Sequence, residues 1–394
     1  MLDIIGEKLE EKAMINFLQR FNANPFKVKF KDNEFIIGEG APLFTVTMKE
    51  PIPVSKLISS TSIALGEAYM DGTLDIEGDL YYALNHFLGQ MDQFTTTGDV
   101  LNKLMHNPLT KKHQAEEVQS HYDIGNDFYS LWLDETMQYS CAYFKNPDDT
   151  LYEAQMHKID HILDKLYLKE GMRLLDIGCG WGFLLIEAAK KYKIKGTGIT
   201  LSHEQYEKFQ ERIKENHLED YLEVRLMDYR DLPKSGLTFD RVVSVGMVEH
   251  VGRQNYQLFN DAVDSVLVKG GLFLLHFISG MNEKPGDAWM SKYIFPGGMV
   301  PSLREMISDM TEDNFHVLDV ENLRLHYNLT LLEWAKNFHA QLPTIRKQFD
   351  ERFIRMWDLY LNGCAAAFYN GMMDLHQILA TKGINNELPL TRWY

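Results

Sequence analysis

The stretch Leu174-Leu175-Asp176-Ile177-Gly178-Cys179-Gly180-Trp181-Gly182 decides the fold. An apolar run leads to a carboxylate, three glycines follow at alternate positions, and Phe183-Leu184-Leu185-Ile186 opens a second apolar run. Glycine lacks Cβ, so the backbone turns tightly there and a ligand can lie against it. Strand, glycine turn and helix start, in that order, build a ligand cradle at the C-terminal edge of a parallel sheet. The spacing D-x-G-x-G-x-G departs from the G-x-G-x-x-G of dinucleotide enzymes.

Outward from this cradle the pattern alternates. Strands are predicted at Arg173–Ile177, Lys195–Thr200, Leu222–Leu226, Phe239–Val245 and Gly271–Phe277, with helices at Phe183–Tyr192, His203–Asn216 and Tyr256–Leu267. That alternation calls for an α/β fold with a doubly wound, mostly parallel sheet. Residues 1–105 read as a small mixed N-terminal domain: helix Glu7–Phe21, strands Phe26–Phe30, Glu34–Ile37 and Phe44–Met48, helices Ser55–Tyr69 and Gly78–Met91. Residues 106–118 are charged, carry Pro108 and read as a linker to a catalytic domain over 119–394. Beyond Ile278, Gly280–Pro301 reads as a long loop with two Gly/Pro-rich knots, a type of segment that serves as a lid or binding loop. Helices are then expected at Ser302–Met310, Thr330–His339, Pro343–Leu361 and Ala365–Thr381.

A chain of 394 residues can build two domains. Its net charge of −16 speaks against nucleic acid and against broad attraction to an anionic membrane. Any membrane contact must be local. Phe26-Lys27-Val28-Lys29-Phe30-Lys31 offers a strand with its lysines on one face, although an edge strand guarded by lysines fits better. Lys111-Lys112 is a weaker site of the same kind. Cys141, Cys179 and Cys364 are too scattered for a disulfide framework, which suits a reducing cytosol. The start shows no signal pattern and no apolar run is long enough to span a bilayer, so a cytoplasmic location is expected. Glu249-His250 resembles a fragment of a zinc motif, but no second ligand pair has the spacing, so no metal is expected.

The strand ends carry polar residues in a telling order. Asp176 suits an ammonium, and Gly178 and Gly180 admit a slender chain against the backbone. The second strand ends without a carboxylate, leaving Thr200 and Gln205 to hydrogen-bond a ribose. The third ends in Asp228, able to accept from an adenine amino group, and Tyr229, able to stack on the ring. Taken together, loop and strand ends resemble those of S-adenosylmethionine-dependent methyltransferases.

A second group is less generic: His121-Tyr122-Asp123-Ile124-Gly125-Asn126-Asp127-Phe128-Tyr129, Tyr139-Ser140-Cys141-Ala142-Tyr143-Phe144, Gly246-Met247-Val248-Glu249-His250-Val251-Gly252, Leu275-His276-Phe277-Ile278 and Tyr327-Asn328-Leu329-Thr330. With these motifs the chain, from about residue 55 onward, resembles the cyclopropane-fatty-acyl-phospholipid synthases and the related mycolic acid cyclopropane synthases. The resemblance implies a Rossmann-like methyltransferase sheet with helical lipid-binding insertions. It implies methylene transfer from S-adenosylmethionine to the cis double bond of a phospholipid acyl chain, with bicarbonate as the base. Cys141, Glu249, His276 and Tyr327, with the backbone at Ile278, would hold that ion. Tyr139, Ser140 and Gly246 would join the cofactor residues, and Tyr293, Phe295, Pro296, Gly297 and Gly298 would lie near the lipid. The resemblance further implies a homodimer at the inner face of the membrane, with an N-terminal lipid-capture domain that marks the phospholipid branch.

Physical chemistry supports this set. An alkene is a poor nucleophile and its carbocation is captured by water, so the site must be dry. Aromatic faces stabilise a cation without reacting with it, and Tyr139, Tyr143, Phe144 and Tyr327 are available. His276 and Tyr327 can donate to bicarbonate, Glu249 can accept from its hydroxyl, and Cys141 adds a weak donor. Taken singly, Cys141 reads as a small buried hydrophobe and His276 as a core histidine. A methyltransferase acting on another lipid or small molecule, methylation followed by reduction, and a silent lipid-binding scaffold are the competing readings.

Overall fold

The computed structural model describes residues 11–31, 33–90, 125–283 and 286–394. The expected linker 106–118, Lys111-Lys112, the His121–Ile124 motif start, Lys284-Pro285 and the outer ends of helices Glu7–Phe21 and Gly78–Met91 lie outside the described residues. The chain divides into two compact units, one drawn from Met1–Asn107, Pro285–Ile294 and Leu331–Met372, the other from Pro108–Lys284, Phe295–Thr330 and Met373–Tyr394.

In the first unit, β1 (Phe26–Phe30), β2 (Asn33–Ile37), β3 (Thr45–Met48) and β4 (Leu74–Glu77) form a sheet in the order β2-β1-β3-β4. The alternation in FKVKF buries Phe26, Val28 and Phe30, while Lys27 pairs with Glu34 at 3.1 Å and Lys29 with Glu77 at 3.0 Å. β1 therefore lies inside the sheet, not at its edge as the lysines suggested. The unit reaches past the 1–105 span read from the sequence. Helix Ala288–Tyr293 sets Trp289 against Gly66, where a Cβ would stand 2.3 Å from the indole. Arg355, on helix Glu351–Tyr369, donates to the carbonyls of Tyr69 and Leu74 and to Asp75.

The second unit is built on β5 (Arg173–Ile177), β6 (Lys195–Thr200), β7 (Leu222–Leu226), β8 (Phe239–Val245), β9 (Leu267–Ser279), β10 (Phe315–Asn322) and β11 (Asp374–Lys382). Their order is β10-β11-β9-β8-β5-β6-β7. The five strands from β9 to β7 are parallel to one another, and β11 and β10 add antiparallel pairings. Both faces are covered: Leu175 and Val242 join one apolar cluster, Leu174 and Val243 the other. The chain steps from β5 outward to β6 and β7, then returns to place β8 on the other side of β5. The resulting topological switch point opens a crevice at the carboxyl ends of β5 and β8.

The expected helix Ala365–Thr381 is a correction. Helix Glu351–Tyr369 ends at Asn370, Gly371 turns with φ +67°, and Asp374–Lys382 is β11. β11 is buried along almost its whole length, so its sequence shows no alternation to betray a strand.

Candidate active site

The ten residues assigned to the cofactor from sequence, Tyr139, Ser140, Asp176, Gly178, Gly180, Thr200, Gln205, Asp228, Tyr229 and Gly246, all line one cleft at that switch point. The space between its walls, solvent at the mouth included, is about 1160 Å³, ample for a nucleoside cofactor. The N–H groups of Gly178 and Cys179 both donate to Ile199 O, which fixes the glycine turn against β6. At Gly180 (φ +54°) and Gly246 (φ +64°) an added Cβ would meet no atom within 4 Å, so both present bare backbone to open space.

The polar residues divide by what already holds them. Thr200 Oγ1 donates to Gln205 Oε1 at 2.8 Å, so the two residues expected at the ribose brace each other. Asp228 accepts from Arg230 Nε at 2.8 Å and from Arg230 Nη2 at 2.6 Å, engaging both carboxylate oxygens. Tyr229 packs edge-on against Phe259, with ring centroids 5.5 Å apart. Asp176 differs: it is 3% exposed, its Oδ1 has no hydrogen-bond partner, and burial pushes its carboxyl up to about 7. A buried carboxylate with a vacant oxygen fits the cationic end of a cofactor.

Sequence reasoning missed Lys158 and His250, which line the same cleft. Lys158 sits on helix Leu151–Lys165, opened by the Thr150/Glu153 capping box. Thr150-Leu151-Tyr152-Glu153 followed by apolar residues at helical spacing was the available signal. Burial lowers His250 to about 4, so it stands neutral beside Glu249.

Two of the expected base residues, Glu249 and His276, meet at the end of β9. His276 pairs with Val245 of β8 and with Gln377 of β11, and its carbonyl accepts from Gly246 N at 2.8 Å. Gln377 Nε2 donates to His276 Nδ1 at 3.1 Å, which leaves the ring proton at Nε2. Burial holds this imidazole far below its usual range, hence neutral. Glu249 Oε1 accepts from Ile278 N at 2.7 Å, and burial pushes its carboxyl up to about 7. Glu249 Oε2 and His276 Nε2 are both buried without a partner. One acceptor and one donor at the same strand end fit a small anion that carries a hydroxyl.

Cys141 is fully buried, and burial raises its thiol, keeping it protonated. Its segment packs on the helix that carries Tyr327: Ala142 N donates to Thr330 Oγ1 at 3.0 Å, and Phe144 N to His326 Nδ1 at 3.0 Å. Of the residues expected near lipid, Tyr293 belongs to the first unit, where its hydroxyl donates to Glu67 at 2.6 Å. Phe295, Pro296, Gly297 and Gly298 belong to the second, with the Phe295 and His250 rings 6.1 Å apart.

A Rossmann-like sheet with a glycine cradle and a vacant carboxylate at its switch point defines an S-adenosylmethionine-dependent methyltransferase. The profile of the mycolic acid cyclopropane synthetase family matches residues 109–378, and the chain belongs to that family. A domain profile of unknown function matches residues 13–98. The cyclopropane-fatty-acyl-phospholipid synthase of Escherichia coli K12 is 39% identical over 353 residues, covering 88% of this chain and 90% of that protein. A probable fatty acid methyltransferase of Pseudomonas putida is 40% identical, covering 93% and 95% respectively. Among solved structures, the cyclopropane synthase MmaA2 of Mycobacterium tuberculosis superposes with a TM-score of 0.65 at 34% identity, over 70% of this chain and all of that one. Mycolic acid cyclopropane synthase CmaA1, complexed with S-adenosylhomocysteine and CTAB, gives 0.64 at 35% identity, over 68% of this chain and 98% of that one.

Proposed function

We propose that this enzyme transfers a methylene group from S-adenosylmethionine to the cis double bond of an unsaturated acyl chain in membrane phospholipid, with a bicarbonate ion as the base. The observation that carries the reading is the pair of orphaned polar atoms, Glu249 Oε2 and His276 Nε2, at the end of β9 beside the cofactor cleft. The E. coli relative named as acting on fatty-acyl phospholipid supports the substrate.

Bound S-adenosylmethionine supplies an electrophilic methyl group, and bicarbonate held by Glu249 and His276 supplies a base for a proton of that methyl. The protein's own part is placement and dryness. Buried side chains keep water from a cationic acyl chain. Neutral His276 donates from Nε2 and cannot compete for the proton. Glu249, when ionised, accepts through Oε2 while Ile278 N–H holds Oε1. Cys141, locked in its thiol form, does not attack the cation as a thiolate would.

No helix among the described residues is long and apolar enough to cross a membrane. Peripheral attachment to the inner face of the cell membrane and a homodimer belong to the same proposal, with vesicle flotation and sedimentation as their tests. Mass spectrometry of lipids from cells expressing the chain tests the reaction. Unsaturated acyl chains should gain one CH2 and lose their alkene. Persistence of the alkene while another molecule gains the mass would overturn the proposal.

A further inference from the structure

Helix Leu151–Lys165 buries two lysines seven residues apart, each 1% exposed. Lys165 is paired, with Nζ 2.5 Å from Glu321 and 3.5 Å from Asp319. Lys158 is not. Its Nζ donates to Ser140 Oγ at 2.8 Å, and among the described residues no carboxylate stands within ion-pairing distance. An ammonium has three N–H donors, so two are left. A buried cation without an anion is costly and is expected where something anionic completes it.

What could complete it is set by the cleft that Lys158 lines. Asp176 lines the same cleft, also without an ion pair, with Oδ1 vacant. The two are close enough for each to feel the other's charge. A vacant buried cation and a vacant buried anion in one cleft match a zwitterion, and an α-amino acid end carries one charge of each sign. We propose that Lys158 binds the carboxylate of the cofactor's amino-acid end, with Ser140 fixing its ammonium and Asp176 taking the cofactor's ammonium group. This rests on S-adenosylmethionine being the cofactor.

Calorimetric titration of the full chain tests it with two ligands. S-adenosylhomocysteine carries the amino-acid end, and 5′-methylthioadenosine shares the nucleoside and sulfur but lacks that end. K158M should weaken S-adenosylhomocysteine by about 10- to 100-fold, the range for a charged hydrogen bond. It should leave methylthioadenosine within about threefold on the same affinity scale. K158R should keep part of the lost affinity. An equal loss for both ligands, or a loss for neither, overturns the assignment. Failure of the unaltered chain to bind either ligand would instead overturn the cofactor reading. If K158M does not fold, the unaltered chain still decides. Decarboxylated S-adenosylhomocysteine should bind at least about tenfold more weakly than the parent, and equal affinity refutes the proposal.

Discussion

The backbone N–H of Ile278 donates to Glu249 Oε1 at 2.7 Å. Ile278 lies two residues past His276, the last β9 residue paired with β8, so this N–H has no strand beside it on that side. Glu249 takes the place of the missing strand. Its own carbonyl accepts from Met299 N at 2.8 Å, so the residue is held at both ends. E249Q keeps an acceptor for Ile278 but loses the anion. Turnover should fall by roughly 10²–10⁴-fold, the usual worth of a group handling a proton, while S-adenosylhomocysteine affinity stays nearly constant. At saturating cofactor, turnover of the unaltered enzyme should rise with pH through about 7 as Glu249 ionises. Parallel losses in affinity and turnover would place Glu249 in the cofactor site instead.

Stability should show the opposite slope. Burial raises Asp176 from 3.8 to about 7 and Glu249 from 4.5 to about 7, so between those values the fold binds protons that the unfolded chain has released. Stability of the ligand-free protein from these groups is therefore present at acid pH and lost as pH rises toward and through 7. D176N removes one such group. Its melting temperature should exceed that of the unaltered chain at pH 8, and the excess should shrink steadily as pH falls toward about 4, as scanning calorimetry without ligand can show. A constant difference across that range would contradict the assignment.

Two glycines of positive φ should fail in different ways. At Gly246 an added Cβ projects into open cleft, so G246A should cut S-adenosylhomocysteine binding and cost about 1–2 kcal/mol of backbone strain. At Gly182 the added carbon would stand 2.0 Å from the fully buried Phe209 ring, so G182A should lower melting temperature further than G246A does. Thermal melts beside ligand titrations separate the two, and a G246A protein with normal affinity would mean that the cofactor does not pass there.

Arg355 binds two carbonyls and Asp75, and its guanidinium lies 4.0 Å from the centroid of the Tyr69 ring. R355A removes these hydrogen bonds and the ring contact from the first unit and should destabilise it by about 1–3 kcal/mol, measured by denaturant unfolding. A loss below about 0.5 kcal/mol, the level of an ordinary surface substitution, would show that the segment Leu331–Met372 is not needed to hold that unit.

The strands around the cradle were legible because their neighbours punctuate them. β5, β6, β7 and β8 occupy the residues read from the sequence, and helix Phe183–Tyr192 does so too. Ser55–Tyr69 proved to be two helices, Val54–Ser59 and Thr61–Met70, broken where Ser60 caps the second. Pro343–Leu361 likewise divides into Leu342–Ile345 and part of Glu351–Tyr369. β10 and β11 are hard to read because strands that pair across long sequence distances leave little local trace; before β11 the helix stop Asn370-Gly371 is the local mark. At the site, the glycine turn, Glu249 and His276 stood in motifs. Lys158 did not, because a lysine on a helix ordinarily points to water and only tertiary packing buries it.

β11 follows β10 in sequence, yet it lies between β9 and β10. A growing polypeptide can lay down β5 through β9 early, but β10 has nothing to pair with until residues 374–382 have been synthesised. The same late strand supplies Gln377, which fixes the proton on His276. The outer sheet edge and the hydrogen bond from Gln377 to His276 are therefore gained in one step of biosynthesis. A nascent chain short of that step exposes the flank of β9, a ready template for aggregation.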